Sequence, residues 1–277
     1  MQKNYISQMR KLSLFSCYFL TFSTLFSQNV FTGFGARNTA LVGASINDDL
    51  YSIFNAIGAL GRVESHRVFF GYQNRFGLRE FQVIGAGGTL HHDLGNVGLS
   101  FSRFGDEVFN MQRMSFAIGN TIEIVSLGLG IDWIQSRVSS IGSIGTLAIQ
   151  FGGTAKVSDQ LTFGAKVFNL NQASLIKEAG ENLPTVFSTG FSFTSTNELT
   201  INLEIEKELH FDEVFRVGIE YSIIGPVKIR TGISSNPFVS AFGIGVQPKK
   251  YKLDYAFTNH SDLGNIHELS IAHSFAR

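Results

Sequence analysis

From His66 onward, apolar side chains occupy every second position in runs of roughly ten residues, each closed by a short break of Gly, Asn, Asp, Ser or Pro. Val97, Leu99 and Phe101 alternate with Gly98, Ser100 and Ser102, and Phe215, Val217, Ile219 and Tyr221 with Arg216, Gly218, Glu220 and Ser222. Around TINLEIEKEL, residues 200–209, the preceding Leu199 with Ile201, Leu203 and Ile205 alternates with Thr200, Asn202, Glu204 and Glu206. A helix would scatter such residues around its circumference, so the period outvotes the Glu-rich composition there. The pattern predicts fourteen strands, near 66–74, 78–92, 96–104, 110–120, 124–136, 144–156, 161–171, 185–195, 199–208, 214–222, 226–233, 238–247, 251–258 and 266–275.

The breaks fall into two kinds. Those after even strands are tight, as in DLG at 93–95, SDQ at 158–160, IIG at 223–225 and PKK at 248–250. Those after odd strands read longer, as in GDEVF at 105–109, VSSIGSI at 138–144 and QASLIKEAGENLP at 172–184. An even strand number trimmed at one end and looped at the other predicts an all-β fold, a closed antiparallel transmembrane β-barrel of about fourteen strands with periplasmic termini. The competing architecture is a secreted soluble β-sandwich, which would bury the apolar face instead. The second face here is rich in Gly, Ala and Ser and carries charges of both signs on neighbouring strands, which suits a crowded lumen. Balanced signs favour a network in which Glu204, Glu206, Arg216, Glu220, Lys228 and Arg230 interlock and, with an N-terminal hatch covering the remainder, occlude the lumen; the alternative is a selectivity lining that leaves a wet path for ions. Phe76, Phe104, Phe109, Trp133, Phe168, Phe238, Tyr251 and Phe257 lie near strand ends, where an interfacial girdle is expected.

Two segments stand outside the strands. In residues 1–27, Lys3, Arg10 and Lys11 precede LSLFSCYFLTFSTLF, and Ser27 offers a small residue for cleavage, so a secretory signal peptide is expected. Cleavage there removes Cys17, the one cysteine, and with it any need for a disulfide or Cys-ligated metal. Residues 28–65 are small and polar at first. Asp48-Asp49 then opens a predicted short helix through Leu50, Ile53 and Phe54, ending near Gly58 or Gly61. Such a segment suits a hatch inside the barrel of residues 66–277, and Leu50, Ile53 and Phe54 are candidate contacts for an apolar ligand. The formal net charge is zero, so nothing favours nucleic acid as a partner.

Enzymatic chemistry finds little footing. His91 and His92 are adjacent on a strand and point to opposite faces, so they cannot share one metal. His210 with Asp212 and Glu213 reads as a solvated loop, and His260, His267 and His273 lack a nucleophile-elbow serine. Gly85 to Gly88 and Gly128 to Gly130 precede no helix, which argues against a phosphate-binding loop and for relief of crowding. No catalytic residue, cofactor or metal is expected, with an outer-membrane barrel enzyme as the alternative.

GARNTALVGASINDD followed by YSIFNAIGAL resembles the opening of the PorV/PorQ-like outer-membrane proteins, relatives of the FadL-type hydrophobic-compound transporters. The matching positions are Gly35, Ala36, Arg37, Gly43, Ala44, Asp48, Asp49, Asn55 and Gly58, with Ala56 standing where that group carries proline. PTVFSTGFSF at 184–193 and LGNIHELSIAHSF at 263–275 are similar to the group's later strands. The resemblance implies a fourteen-stranded barrel with an N-terminal hatch in the outer membrane of a Gram-negative bacterium. It implies contact with outer-membrane lipid and one of two roles: a conduit for a hydrophobic small molecule, or a partner of secretion-system proteins in type IX secretion.

Overall fold

The computed structural model describes residues 33–48, 50–176, 181–261 and 263–275. The expected signal peptide, Asp49 and the last two residues lie outside the described residues. Fourteen antiparallel strands form a closed barrel in which each strand pairs with its sequence neighbours. They are β1 (Arg67–Arg75), β2 (Gln82–Leu90), β3 (Asn96–Gly105), β4 (Phe109–Ile122), β5 (Val125–Val138), β6 (Gly142–Lys156) and β7 (Leu161–Phe168). The second half comprises β8 (Val186–Thr194), β9 (Leu199–Glu208), β10 (Val214–Ile224), β11 (Val227–Ser234), β12 (Val239–Val246), β13 (Tyr251–His260) and β14 (Gly264–Ser274). The ring closes where β1 meets β14, in register from Arg67↔Ser274 to Arg75↔Ile266. A sandwich has open edges, so this closure rules it out.

The apolar stripe faces out. Leu99, Phe116 and Phe187 are 58, 50 and 49% exposed, whereas the inward Ala117, Ala148 and Ala256 are fully buried. Phe109, Trp133, Phe238 and Tyr251 also face out, but two aromatics expected in the girdle do not. Phe104 is buried, and the Phe168 ring lies under the Arg113 guanidinium inside the lumen. Both sit on the inward register of their strands, which their nearness to strand ends had concealed.

The connections are more even in length than expected. Those after β3 and β5 shrink to residues 106–108 and 139–141, because the ladders run on through Phe109↔Val138 and Val138↔Gly142. Only the connection after β7, residues 169–185, is long, and it carries a small ladder of Ser174–Ile176 with Glu181–Asn182.

Gly33 to Arg277 makes one compact unit, so the hatch is packed into the barrel. Instead of one helix from Asp48, the hatch holds α1 (Ala36–Ala40), α2 (Ser52–Asn55) and a 3-10 turn at Ile57–Arg62. Elements this short are marginal alone, and contacts with the wall fix them. The inward glycines of the wall make the room. A β-carbon on Gly71 would meet the Phe34 ring at 2.7 Å, and one on Gly98 would meet Ile53 at 2.6 Å. On the opposite wall, Gly218 and Gly232 face Leu41 at 2.9 and 2.8 Å by the same construction.

Candidate functional site

The lumen is the candidate site, and the hatch fills it. Its apolar part gathers Phe34, Leu50, Tyr51, Ile53, Phe54, Ile57, Leu60 and Val63 with Phe69 and Ala117 of the wall. Phe34 stacks at a tilt on Phe54 with ring centres 4.8 Å apart, and Tyr51 meets Phe69 edge-on at 5.1 Å. Burial pushes the Tyr51 phenol above its ordinary titration range. Leu50, Ile53 and Phe54, the expected ligand contacts, are all buried in this cluster. Their partners are the protein's own side chains.

The six charges expected to interlock are brought together in two groups. Arg216 donates from both terminal nitrogens to the two carboxylate oxygens of Glu206, each at 2.7 Å, and its Nη1 lies 3.9 Å from Glu204. Lys166 approaches Glu204 at 3.6 Å. In the second group, Arg230 donates to Glu220 at 2.5 Å and to Asp254 at 2.7 Å, and Lys228 donates to Glu220 at 3.0 Å. Arg230, Glu220 and Asp254 are all buried, where an unpaired charge is costly and a paired one is held in one geometry.

The hatch is tied into both groups. Arg37 donates to Glu220 at 3.0 Å and lies 3.3 Å from Asp48, while the Ser45 amide donates to Glu204 at 3.1 Å. Glu268 of β14 forms a third tie: it accepts from the Gly35 amide at 2.8 Å, from the Thr39 hydroxyl and from Gln73 at 2.8 Å. Asn55 closes the hatch on itself, accepting from the Phe34 amide and donating to the Phe34 carbonyl, each at 2.8 Å, and to Asp48 at 2.9 Å. The remaining hatch positions are steric. Gly35 and Gly43 adopt φ of 94° and 89°, in the left-handed region that disfavours other residues. Gly43 packs on Arg216 and Gly58 on the Gly153 backbone, where β-carbons would come within 3.3 and 2.6 Å, and Ala36 is fully buried.

The sequence reading missed a polar group on the other wall. Arg113 of β4 donates to Asp132 of β5 at 2.9 Å; Ser115 donates to the same oxygen, and Gln150 reaches it at 3.2 Å. The Arg113 guanidinium lies between the rings of Phe54 and Phe168, 5.6 and 5.0 Å from their centres. The signal was there: Arg113 shares its strand register with Ser115, Ala117 and Gly119, a small-residue face on which one arginine needs a partner.

Three of the histidines make short-range contacts. His91 bonds Asn96 at 2.9 Å, His92 accepts from the Leu94 amide at 3.1 Å, and His267 pairs with the Tyr255 hydroxyl at 2.8 Å. Glu213 is held by Lys207 at 2.9 Å. Among the described residues, no cluster of three His, Cys, Asp or Glu is placed to hold a metal.

This closed fourteen-stranded barrel, apolar outside, is similar in fold to solved structures of hydrocarbon channels and of a FadL homologue. The solved structures it resembles include the CymD monoaromatic hydrocarbon channel, with a TM-score of 0.68 at 11% identity over 90% of this chain and 99% of that one. They also include the Pseudomonas putida toluene transporter TodX, with a TM-score of 0.68 at 9% identity over 88% and 98% of the two chains. A Pseudomonas aeruginosa FadL homologue gives 0.62 at 11% identity over 87% and 97%. No family model and no curated protein matches the chain by sequence. At these identities the likeness defines the fold.

Proposed function

We propose that this protein is a non-enzymatic conduit for hydrophobic small molecules in a bacterial outer membrane, held shut in this state by its hatch. The observation that carries the reading is the aromatic cluster of Phe34, Tyr51, Phe54 and Phe69 at the centre of the plugged lumen. An apolar solute that displaces the hatch exchanges one hydrophobic contact for another there, at little cost in solvation. Phe54, Ile53 and Leu50 are the hatch surface it would meet. The polar ties along β9 to β14 keep the hatch seated, and a seated hatch stands in the way of ions. The neighbouring channels named for monoaromatic hydrocarbon and toluene fit this class of solute. The apolar outer face supports a hydrocarbon surround, and taking the one long connection, residues 169–185, as external turns the start of β1 and the end of β14 toward the periplasm.

The test has two arms. Cells lacking their own hydrophobic-compound channel should take up radiolabelled toluene faster when they carry this protein. The purified protein in planar bilayers should show no steady conductance. Unchanged uptake, or a porin-like steady current, overturns the reading.

The secretion role implied by the PorV/PorQ resemblance rests on the 169–185 connection, the one long enough to offer a partner a grip. Purification in mild detergent separates the roles: a conduit retains lipid or hydrophobic solute, and a secretion component retains partner proteins.

A further inference from the structure

Leu90 of β2, Val97 of β3, Ile118 of β4, Leu129 of β5 and Phe151 of β6 stand in one row on the outer face, each opposite the next across its ladder. The neighbouring outward positions on β4, β5 and β6, toward the end of the barrel where β1 starts, are Asn120, Leu127 and Gly153, also in register. Gly95 leads into β3 beside Asn120. Only Leu127 is large and apolar in this second row, so the first row overhangs a cleft of about 730 Å³. The floor is the ladder backbone of Asn96, Gly119 and Gly128, whose polar groups are engaged within the wall. Behind that floor sits the hatch: a β-carbon on Gly119 would meet the Gly61 amide at 2.7 Å, so the wall has no room to bow inward and close the cleft.

Four strand spacings of ~4.8 Å make the row about 19 Å long. Leu90 closes β2 and Val97 nearly opens β3, whereas Ile118, Leu129 and Phe151 lie well inside their strands, so the cleft rises from the edge of the barrel into the wall. At its low end it is lined by His66, His91 and His92, before β1 and in the turn after β2. The His66 Nδ1 accepts from the His91 amide at 3.1 Å, and the His92 Nδ1 from the Leu94 amide at 3.1 Å. A ring nitrogen that accepts carries no proton, so each neutral imidazole holds its proton at Nε2. Among the described residues neither Nε2–H has a hydrogen-bond partner, and both rings are exposed. The same end of the barrel carries Arg62 and Arg67 as well as Glu64, Asp93 and Glu123, charges of both signs.

We propose that this cleft seats one glycerophospholipid with an ethanolamine headgroup, an acyl chain lying along the Leu90 to Phe151 row and the phosphate accepting from the His66 and His92 Nε2–H groups. The occupant follows from the surroundings. The cleft is continuous with the apolar outer face, which meets hydrocarbon, and its long wall is made of exposed aliphatic and aromatic side chains. Half of a ~30 Å hydrocarbon core is about 15 Å deep, so a groove of this length set at a tilt matches one extended chain. Donors without net positive charge, with carboxylates nearby, suit a headgroup that joins a phosphate to an ammonium better than one that is only anionic. With residues 169–185 external, this end is periplasmic and the lipid belongs to the inner leaflet of the outer membrane. The site rests on the hydrocarbon surround and orientation proposed above, and it is independent of the conduit role because it lies outside the lumen.

The test titrates the delipidated protein in detergent with dioleoylphosphatidylethanolamine and counts bound lipid by native mass spectrometry. Binding should saturate at one lipid per chain, with dioleoylphosphatidylglycerol and dioleoylglycerol each at least tenfold weaker. N120W fills the second row and should weaken binding of the ethanolamine lipid at least tenfold, whereas I219W, the same side chain on the outer face of β10, should leave it unchanged. The double variant H66A/H92A removes the two donors and should weaken the ethanolamine lipid at least tenfold while leaving dioleoylglycerol as it was. Folding is checked by the mobility of the unheated protein on a gel; if N120W fails to fold, the histidine variant and the lipid series still decide. Uptake without saturation, unchanged binding by either folded variant, or equal binding of either other lipid overturns the proposal. A chain that stays monomeric and soluble without detergent would instead sink the membrane reading on which the site rests.

Discussion

Replacing Arg230 with methionine isolates what the buried charges contribute to the barrel. Arg230 is 2% exposed and spans Glu220 and Asp254. In the R230M variant Glu220 keeps Arg37 and Lys228, at 3.0 Å each, so it remains compensated. Asp254 does not: it is 3% exposed, its Oδ1 loses the 2.7 Å bond, and its Oδ2 already has no hydrogen-bond partner. Breaking a buried pair from one side costs about 3–5 kcal/mol, since a charge is left without compensation. At 1.4 kcal/mol per tenfold, that lowers the folded-to-unfolded ratio by roughly a hundredfold or more. The assay is urea unfolding in lipid vesicles, followed by tryptophan fluorescence and by the mobility of unheated protein on a gel. The double variant R230M/D254N removes the stranded charge and should recover most of the loss, because the pair itself contributes little against a neutral replacement. A single variant as stable as wild type, or a double variant no better than the single, would refute the reasoning.

Other expectations follow from the hatch. N55A strands the Phe34 amide and carbonyl and one oxygen of Asp48; at about 1–3 kcal/mol per orphaned group it should destabilise the hatch markedly, read as faster amide exchange at residues 33–60 with little change in the strands. G58A places a methyl within 2.6 Å of the Gly153 backbone and should cost about 1–3 kcal/mol, measured by the same urea titration. E268Q weakens the bonds from Gly35, Thr39 and Gln73, so intermittent current bursts should appear in planar bilayers where wild type is silent. R113M leaves Asp132 with Ser115 and Gln150 alone and should destabilise the β4 to β5 wall, with rescue by the added D132N change, again by urea unfolding.

The strands were legible because a barrel wall imposes a period of two wherever one face is apolar and the other small or charged. Leu199 to Ile205 against Thr200 to Glu206 is such a case, and β9 occupies Leu199–Glu208. The hatch was legible as a departure from that period, but its form was not. Helix α1 exists because Gly35 and Ala36 donate to Glu268 and Ser270, more than 230 residues away, and no local pattern announces that. The lumen charges of β9 to β11 were readable as a group because they lie on successive hairpins. Glu268 escaped notice because its partners belong to the hatch and to β1, which meets β14 only when the ring closes.

The glycine-lined fit between the hatch and the wall bears on assembly. Gly58 abuts Gly153, Gly61 abuts Asn120, and Leu41 lies across Gly232, so the plug is gripped from several strands at once. A segment held that way is hard to thread into a cylinder that is already complete. The start of the chain therefore has to act as a mandrel, in place while later hairpins curl around it. Damage to that early stretch should surface as failed biogenesis before it surfaces as a leaky pore.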